Sequence, residues 1–316
     1  MRPSIKNFIK FNPSVGVDSM HIVAYPGMGK SVQGTDIMIQ CISNGEIGII
    51  PGDRFCEWRH IDNYEIDIKV LVPEGADIAH LNMPKKFQEW TVVDYDTMDI
   101  MDYLEPDKLL VVYDRCFSRV DRALLWTDLM TRISGRLKYH DIPVVYLDHE
   151  AGITFPEKRT GKLWMAVEDF VTLFVDFRKA LIRCIFLSQI EAELHNELRN
   201  KMLWKIYRLS MPSKGSIGRD VRRFIRRTRR DTYHIFFGGI YEPFRSNPKI
   251  EEKKKIWKMI PRDLINYKGG TIDSSSSSSF PPVTCQKCET SWSPLVERPK
   301  RCKECNSNMK YVEVEA

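Results

Sequence analysis

The 316-residue sequence has no run of about 18 consecutive apolar residues, so no transmembrane helix is expected. Its opening residues, MRPSIKNFIKFNP, hold no long apolar stretch and no small-residue cleavage site. That reads as a chain without a secretory leader and predicts a cytoplasmic location. No internal repeat is visible. Eight cysteines are present, but a chain this large without a leader is not expected to build a disulfide framework from them. Charge of neither sign dominates: 48 Lys and Arg against 42 Asp and Glu leave +6, with a sequence pI of about 8.8. That is a mild lean toward polyanionic partners and does not by itself specify nucleic acid.

What is present divides the chain. Residues 269–282 read GGTIDSSSSSSFPP, a Gly/Ser tract closed by two prolines that cannot bury enough apolar surface to offset its ordering entropy. The expected organisation is a large domain over 1–268, a linker over 269–282 and a small module over 283–316. The module is too short for a hydrophobic core of its own. Apolar runs at 20–25, 46–52, 67–73, 90–96, 108–114, 142–148, 183–189, 204–210 and 232–239 read as strands. Helical patterns follow Ser31 and cover 119–139, 161–182 and 191–203. Such alternation predicts an α/β fold, a mostly parallel sheet with helices on both faces. Ligands in such sheets bind beyond the carboxyl ends of the strands.

Ala24-Tyr25-Pro26-Gly27-Met28-Gly29-Lys30-Ser31 follows the first strand and opens the first long helix. It fits a phosphate loop with Ala in place of the first Gly. Gly27 and Gly29 allow backbone angles that aim successive N–H groups inward, and the helix N-terminus adds partial positive charge. Lys30 then reaches the β- and γ-phosphates of ATP, and the Ser31 hydroxyl ligates Mg²⁺. The fold expected around this loop is a P-loop NTPase of RecA/ASCE type.

Such a site needs an acid at the end of a buried strand. VVYLDHEAG (144–152) offers Asp148 for magnesium and Glu150 as base, and LLVVYDR (109–115) offers Asp114 instead. Asp148 and Glu150 are separated by His149, so the residue sequence leaves open which acid holds the metal. The strand RCIFLSQ ends in Ser188-Gln189, where Gln189 would orient water or touch the γ-phosphate. Arg178 and Arg183 flank the same strand, and either is a candidate arginine finger across a subunit boundary. A solvated surface role is the ordinary alternative for each.

Cys285-Gln-Lys-Cys288 and Cys302-Lys-Glu-Cys305 set four thiolates at tetrahedral reach of one Zn²⁺. A zinc ribbon would supply by metal binding the stability the short module lacks. Residues 219–230 read RDVRRFIRRTRR. Arg219, Arg222, Arg223, Arg226 and Arg230 fall on one side of a helix, with Val221 and Ile225 able to face inward. Contact with DNA phosphates and a plain solvated face are both open readings.

The order of motifs, AYPGMGKS, VVYLDHEAGITFPE, FRKALIR and CIFLSQIEAELHNELRN over residues 20–245, resembles the FtsK/HerA superfamily of P-loop ATPases. It is most similar to the branch of zonula-occludens-toxin-like and viral or plasmid packaging ATPases. The resemblance implies an ATP-driven motor on DNA, often a hexameric ring, with Asp148 and Glu150 acidic, Gln189 polar and Arg178 on the arginine-bearing helix. The sequence departs from the family where His149 stands in place of an acid. Two other functions remain compatible: a small-molecule P-loop kinase, although no clear lid is visible, and an adaptor that uses ATP as a switch without significant turnover.

Overall fold

In the computed structural model the described residues are 3–10, 17–52, 61, 64–76, 85–210, 212–213, 217–227, 232–238, 240–245, 283–284 and 291–292. The chain separates into two compact units, one of Met1–Asp77 with Asn82–Ile265 and one of Ile78–Leu81 with Asn266–Ala316. The first unit holds a ten-stranded sheet. Its strands are β1 (Met20–Val23), β2 (Ile47–Pro51), β3 (Asp67–Pro73), β4 (Trp90–Val93), β5 (Lys108–Val112), β6 (Val144–Asp148), β7 (Ile182–Ser188), β8 (Trp204–Tyr207), β9 (Thr232–Phe237) and β10 (Ile240–Arg245). They lie in the order β10-β9-β8-β1-β7-β6-β2-β5-β3-β4. The eight from β8 to β4 are parallel, and β9 and β10 pair antiparallel at one margin. This is the P-loop NTPase fold: β7 stands between the strand that carries the phosphate loop and β6, the strand that ends in Asp148.

Burial follows position in the sheet. Every residue of β1, β6 and β7 is buried, whereas the edge strand β4 leaves Trp90, Thr91 and Val92 exposed. Continuous apolar runs therefore mark the centre, because both faces are covered. One face is covered by α2 (Lys30–Ile42), which approaches the sheet closely. A Cβ at Gly34 would meet Leu187 Cδ2 at 2.9 Å and Leu147 Cδ1 at 3.2 Å. The other face packs α3 (Arg119–Ser134) and α5 (Gly161–Phe174) around Trp126, Tyr146, Phe155, Phe170 and Phe186. α3 starts where the Ser118 hydroxyl accepts the Asp121 N–H at 3.2 Å and stops at Gly135. The short helices are α1 (Ile5–Ile9), α4 (Ala151–Thr154), α6 (Asn196–Lys201) and α7 (Arg219–Ile225).

Three element expectations are corrected. α5 ends at Phe174 rather than 182, because the chain turns to bury Phe177 against Phe170 and Phe174, with ring centroids 5.6 and 5.4 Å apart. The single helix expected over 191–203 is a 3-10 turn at Glu191–Glu193 followed by α6. The sheet is closed by β10, not by the 232–239 strand; Pro243 within β10 is tolerated at an edge. In the second unit, β11 (Val283–Thr284) and β12 (Ser291–Trp292) form an antiparallel pair.

Candidate functional site

The phosphate-loop segment leaves β1 at Ala24 and enters α2 at Lys30. Ala24 N–H donates to the Ser188 carbonyl at 3.2 Å and Tyr25 N–H to the Leu209 carbonyl at 3.0 Å, so the loop is tied to the ends of both neighbouring strands. Gly27 and Gly29 sit at φ 73° and 78°, the left-handed region in which a Cβ is strained. Gly29 is the N-cap of α2 and, having no side chain, makes no side-chain cap hydrogen bond of the kind Ser or Asp supplies. A bent, amide-lined loop at a helix N-terminus is suited to an anion. Arg208, at the end of β8, is wholly buried against this loop. Its Nη1 lies 3.6 Å from where a Gly29 Cβ would stand and donates to Gln33 Oε1 at 3.4 Å.

A cleft of about 230 Å³ opens beside the loop, lined by Lys30, His149, Glu150, Gly152, Ile153, Ser188, Gln189 and Glu193. The fold thus brings Lys30, Glu150 and Gln189 to one cleft from three separate segments. Ser31 lies half-buried in the first turn of α2, next to Lys30.

The other acids are placed differently. Asp148 is not among the cleft's walls. It is buried on the same face as Tyr146, its Oδ1 accepts the Glu150 N–H at 2.9 Å and its Oδ2 accepts the Tyr146 hydroxyl at 3.4 Å. Burial pushes its carboxyl up to about 6, against hydrogen bonds from Thr154 and Glu150. Asp114 is wholly buried, accepts the Trp126 indole N–H at 2.8 Å and lies 3.4 Å from Arg122 Nε. Burial raises its pKa as well, more than Arg122 lowers it. His149 and Glu150, not Asp148 or Asp114, present themselves to the cleft. Strand alternation turns His149 away from Asp148, and Glu150 lies beyond the strand, at the N-cap of α4.

Neither arginine beside β7 reaches the cleft within its own chain. Arg183 is buried, 2.9 Å from Glu46 Oε1, and donates to the Phe8 carbonyl at 2.6 Å, so it is not an arginine finger. Arg178 is exposed, 3.9 Å from Asp18, in the turn before β7. The seven residues of β7 separate it from Gln189 by about 20 Å. Cys285, Cys288, Cys302 and Cys305, with Arg230 and Cys56, lie outside the described residues. Of the remaining cysteines, Cys41 and Cys184 are buried and Cys116 is exposed.

Two features escaped the sequence. Glu193 joins the cleft because the 3-10 turn folds back over Gly152, where a Cβ would stand 2.8 Å from Glu193 Cβ. Reading 191–203 as one helix hid this, and only a Gly next to the acidic motif signalled a close approach. Second, Ser188 Oγ is 2.8 Å from His21 Nε2 inside the sheet. Burial drives the His21 imidazole down to about 3, outweighing Glu191, so it is neutral. Glu191, also buried, takes hydrogen bonds from Tyr207 Oη (2.7 Å), Ser213 N–H (2.7 Å) and Lys205 Nζ (3.2 Å). Burial pushes its pKa up, but Lys205 and these donors together hold it low.

No protein-family model and no curated protein matches the chain. Among solved structures, the genome packaging NTPase B204 from Sulfolobus turreted icosahedral virus 2 in complex with ATP-gammaS aligns at 13% identity. That alignment covers 75% of this chain and 99% of the other, with a TM-score of 0.49. The N-terminal domain of zonular occludens toxin from Neisseria meningitidis aligns at 15% identity over 75% of this chain and 98% of its own, TM-score 0.32. The pCW3 conjugation coupling protein TcpA aligns at 13% identity over 82% and 74%, TM-score 0.40.

Proposed function

We propose that the chain is an ATP-hydrolysing P-loop motor that acts on DNA. The observation that carries the catalytic half is the cleft in which Lys30, from the phosphate loop, faces Glu150 and Gln189 across β7. The DNA half comes from the motif order, which resembles the FtsK/HerA ATPases. The amide-lined loop of residues 24–31 would hold the triphosphate, with Lys30 on the β- and γ-phosphates. Magnesium fits the Ser31 hydroxyl beside the loop, which leaves the Glu150 carboxylate free for water. When bound it would neutralise charge developing on the phosphate oxygens. Glu150 takes a proton from water as the water oxygen bonds to the γ-phosphorus. The bond from that phosphorus to the β–γ bridging oxygen breaks, leaving ADP and phosphate. Gln189 orients the water. Asp148, whose carboxylate holds the Glu150 amide, positions that residue from behind.

Arg178 is proposed to serve the cleft of a neighbouring copy in a ring, possible only in trans given its place at the far end of β7. The 1–268 segment is the proposed ATPase domain, 269–282 the linker and 283–316 a zinc ribbon. There Cys285, Cys288, Cys302 and Cys305 would supply four thiolates. The antiparallel pairing of β11 with β12, which flank the first Cys pair in sequence, supports it.

The test is magnesium-dependent ATP binding and turnover, with and without duplex DNA. Lys30→Ala is expected to lose ATP affinity. Glu150→Gln is expected to bind ATP but turn over about 10²- to 10⁴-fold more slowly. One observation favours a second reading, a nucleotide-switched adaptor: His149 lines the cleft where the family has an acid. It predicts tight ATP binding, negligible wild-type turnover and no further effect of Glu150→Gln.

A further inference from the structure

α7 differs from the rest of the chain in how it uses arginine. Elsewhere most described arginines are engaged: Arg122 with Asp114, Arg132 with Asp128, Arg159 with Glu168, Arg183 with Glu46 and Arg199 with Glu157, and Arg119 and Arg136 with main-chain carbonyls. On α7 and the turn after it, Arg219, Arg223, Arg226 and Arg227 are exposed, and among the described residues none of them has an ion-pair partner. Residues 219, 223 and 226 are spaced so that they form one stripe. Phe224, 57% exposed, stands beside the stripe, with its ring edge-on to His234 at 5.4 Å. An uncompensated cationic stripe with an apolar side chain at its margin suits a sugar-phosphate backbone, which offers anionic oxygens and deoxyribose together.

The other side of the helix is equally informative. Ile225 is buried with Val23, Tyr207 and Phe236, and Val221 packs against the same cluster. Val23 is the last residue of β1, directly before Ala24 of the phosphate loop. One layer of side chains therefore separates the arginine stripe from the strand that carries the nucleotide loop.

We infer that α7 is the surface on which this chain grips the phosphate backbone of duplex DNA, coupled to the phosphate loop through Ile225 and Val23. This rests on the motor reading and adds to it where the DNA lies. Arg219 to Arg226 span about 10 Å along the helix, enough to contact more than one phosphate of a duplex at once.

The test is fluorescence anisotropy of a short mixed-sequence duplex, titrated between about 50 and 200 mM salt, against the full chain. The charge reversal Arg223→Glu/Arg226→Glu/Arg227→Glu is expected to weaken binding more than tenfold and to flatten the slope of log K against log salt by about 2–3. The Arg223→Lys/Arg226→Lys/Arg227→Lys variant should keep most of that slope. Thermal melting of both variants checks that they fold. An unchanged slope in a folded charge-reversal variant overturns the inference. So does a single strand bound more tightly than the duplex through a preference that Phe224→Ala abolishes, since base stacking would then dominate. If the wild type binds ATP with magnesium but the slope ignores α7, this surface falls and the motor reading stands. If the slope depends on α7 but no ATP binds, the motor reading falls and the surface stands.

Discussion

Arg183 is dominated by its burial. The guanidinium is 1% exposed, paired with Glu46 at 2.9 Å and set 4.9 Å above the Phe8 ring. Taking the cation away leaves Glu46 in a site where burial already pushes its carboxyl up to about 7 in spite of Arg183. Arg183→Met is expected to cost about 3–5 kcal/mol, read from urea midpoints. A loss below about 1 kcal/mol would sink that account. Buried histidines give the acid limb of stability. Burial lowers His234 to about 4 and His21 to about 3, against about 6.5 in the unfolded chain. Between those values the unfolded state binds more protons, so each contributes stability that is lost as pH falls from about 6.5 toward 4. Glu46 and Asp148, raised to about 7 and about 6, work in the opposite direction, because the fold holds their protons longer. His234→Gln should therefore lose about 1–2 kcal/mol less than wild type between pH 7 and 5. Parallel denaturation curves at the two pH values decide it.

At the scale of elements, the cleft depends on how closely the 3-10 turn of residues 191–193 lies over α4. Gly152→Ala would force a Cβ to within 2.8 Å of Glu193 Cβ. The expected cost is about 1–3 kcal/mol, together with a displacement of Gln189 and Glu193 that lowers ATP turnover more than ATP affinity. Equal losses in both would point to general unfolding instead. Much of this layer was legible beforehand. The nine strand segments were visible as apolar runs because central parallel strands are buried on both faces, and Lys30 was fixed by loop chemistry that few residue types satisfy. Less legible were features set by tertiary contact. Phe177 ends α5 through a ring cluster assembled from distant residues. Arg183 reads as a surface cation until Glu46 is placed beside it. The side to which Asp148 points depends on strand alternation at the last residue of β6, where a shift of one position exchanges it with His149.

For the whole molecule, the proposed division into an ATPase domain and a metal-stapled tail makes a separable prediction. Chelation, or Cys302→Ser, is expected to release one zinc per chain and leave Mg·ATP affinity within about twofold, since the loop, the cleft and the residues that brace them lie within 20–209. Zinc content by atomic absorption and nucleotide titration read the two halves independently. ATP affinity that collapses with the metal would contradict the division. The ligands proposed for the tail are readable from sequence alone because C-x-x-C spacing is local. The arginine face of residues 219–230 was legible as well, with Ile225 read as able to face inward, and packing adds that Ile225 does so against Val23.

The antiparallel margin of the sheet has a consequence for self-association. β10 is the outermost strand there and contains Pro243, which has no amide hydrogen to offer a newcomer. Copies of the chain cannot readily zip together along that border into a continuous ribbon. At this margin the ring proposed above would instead be closed by side-chain surfaces, which can slip and re-engage during each cycle in a way that a shared hydrogen-bonded ladder could not.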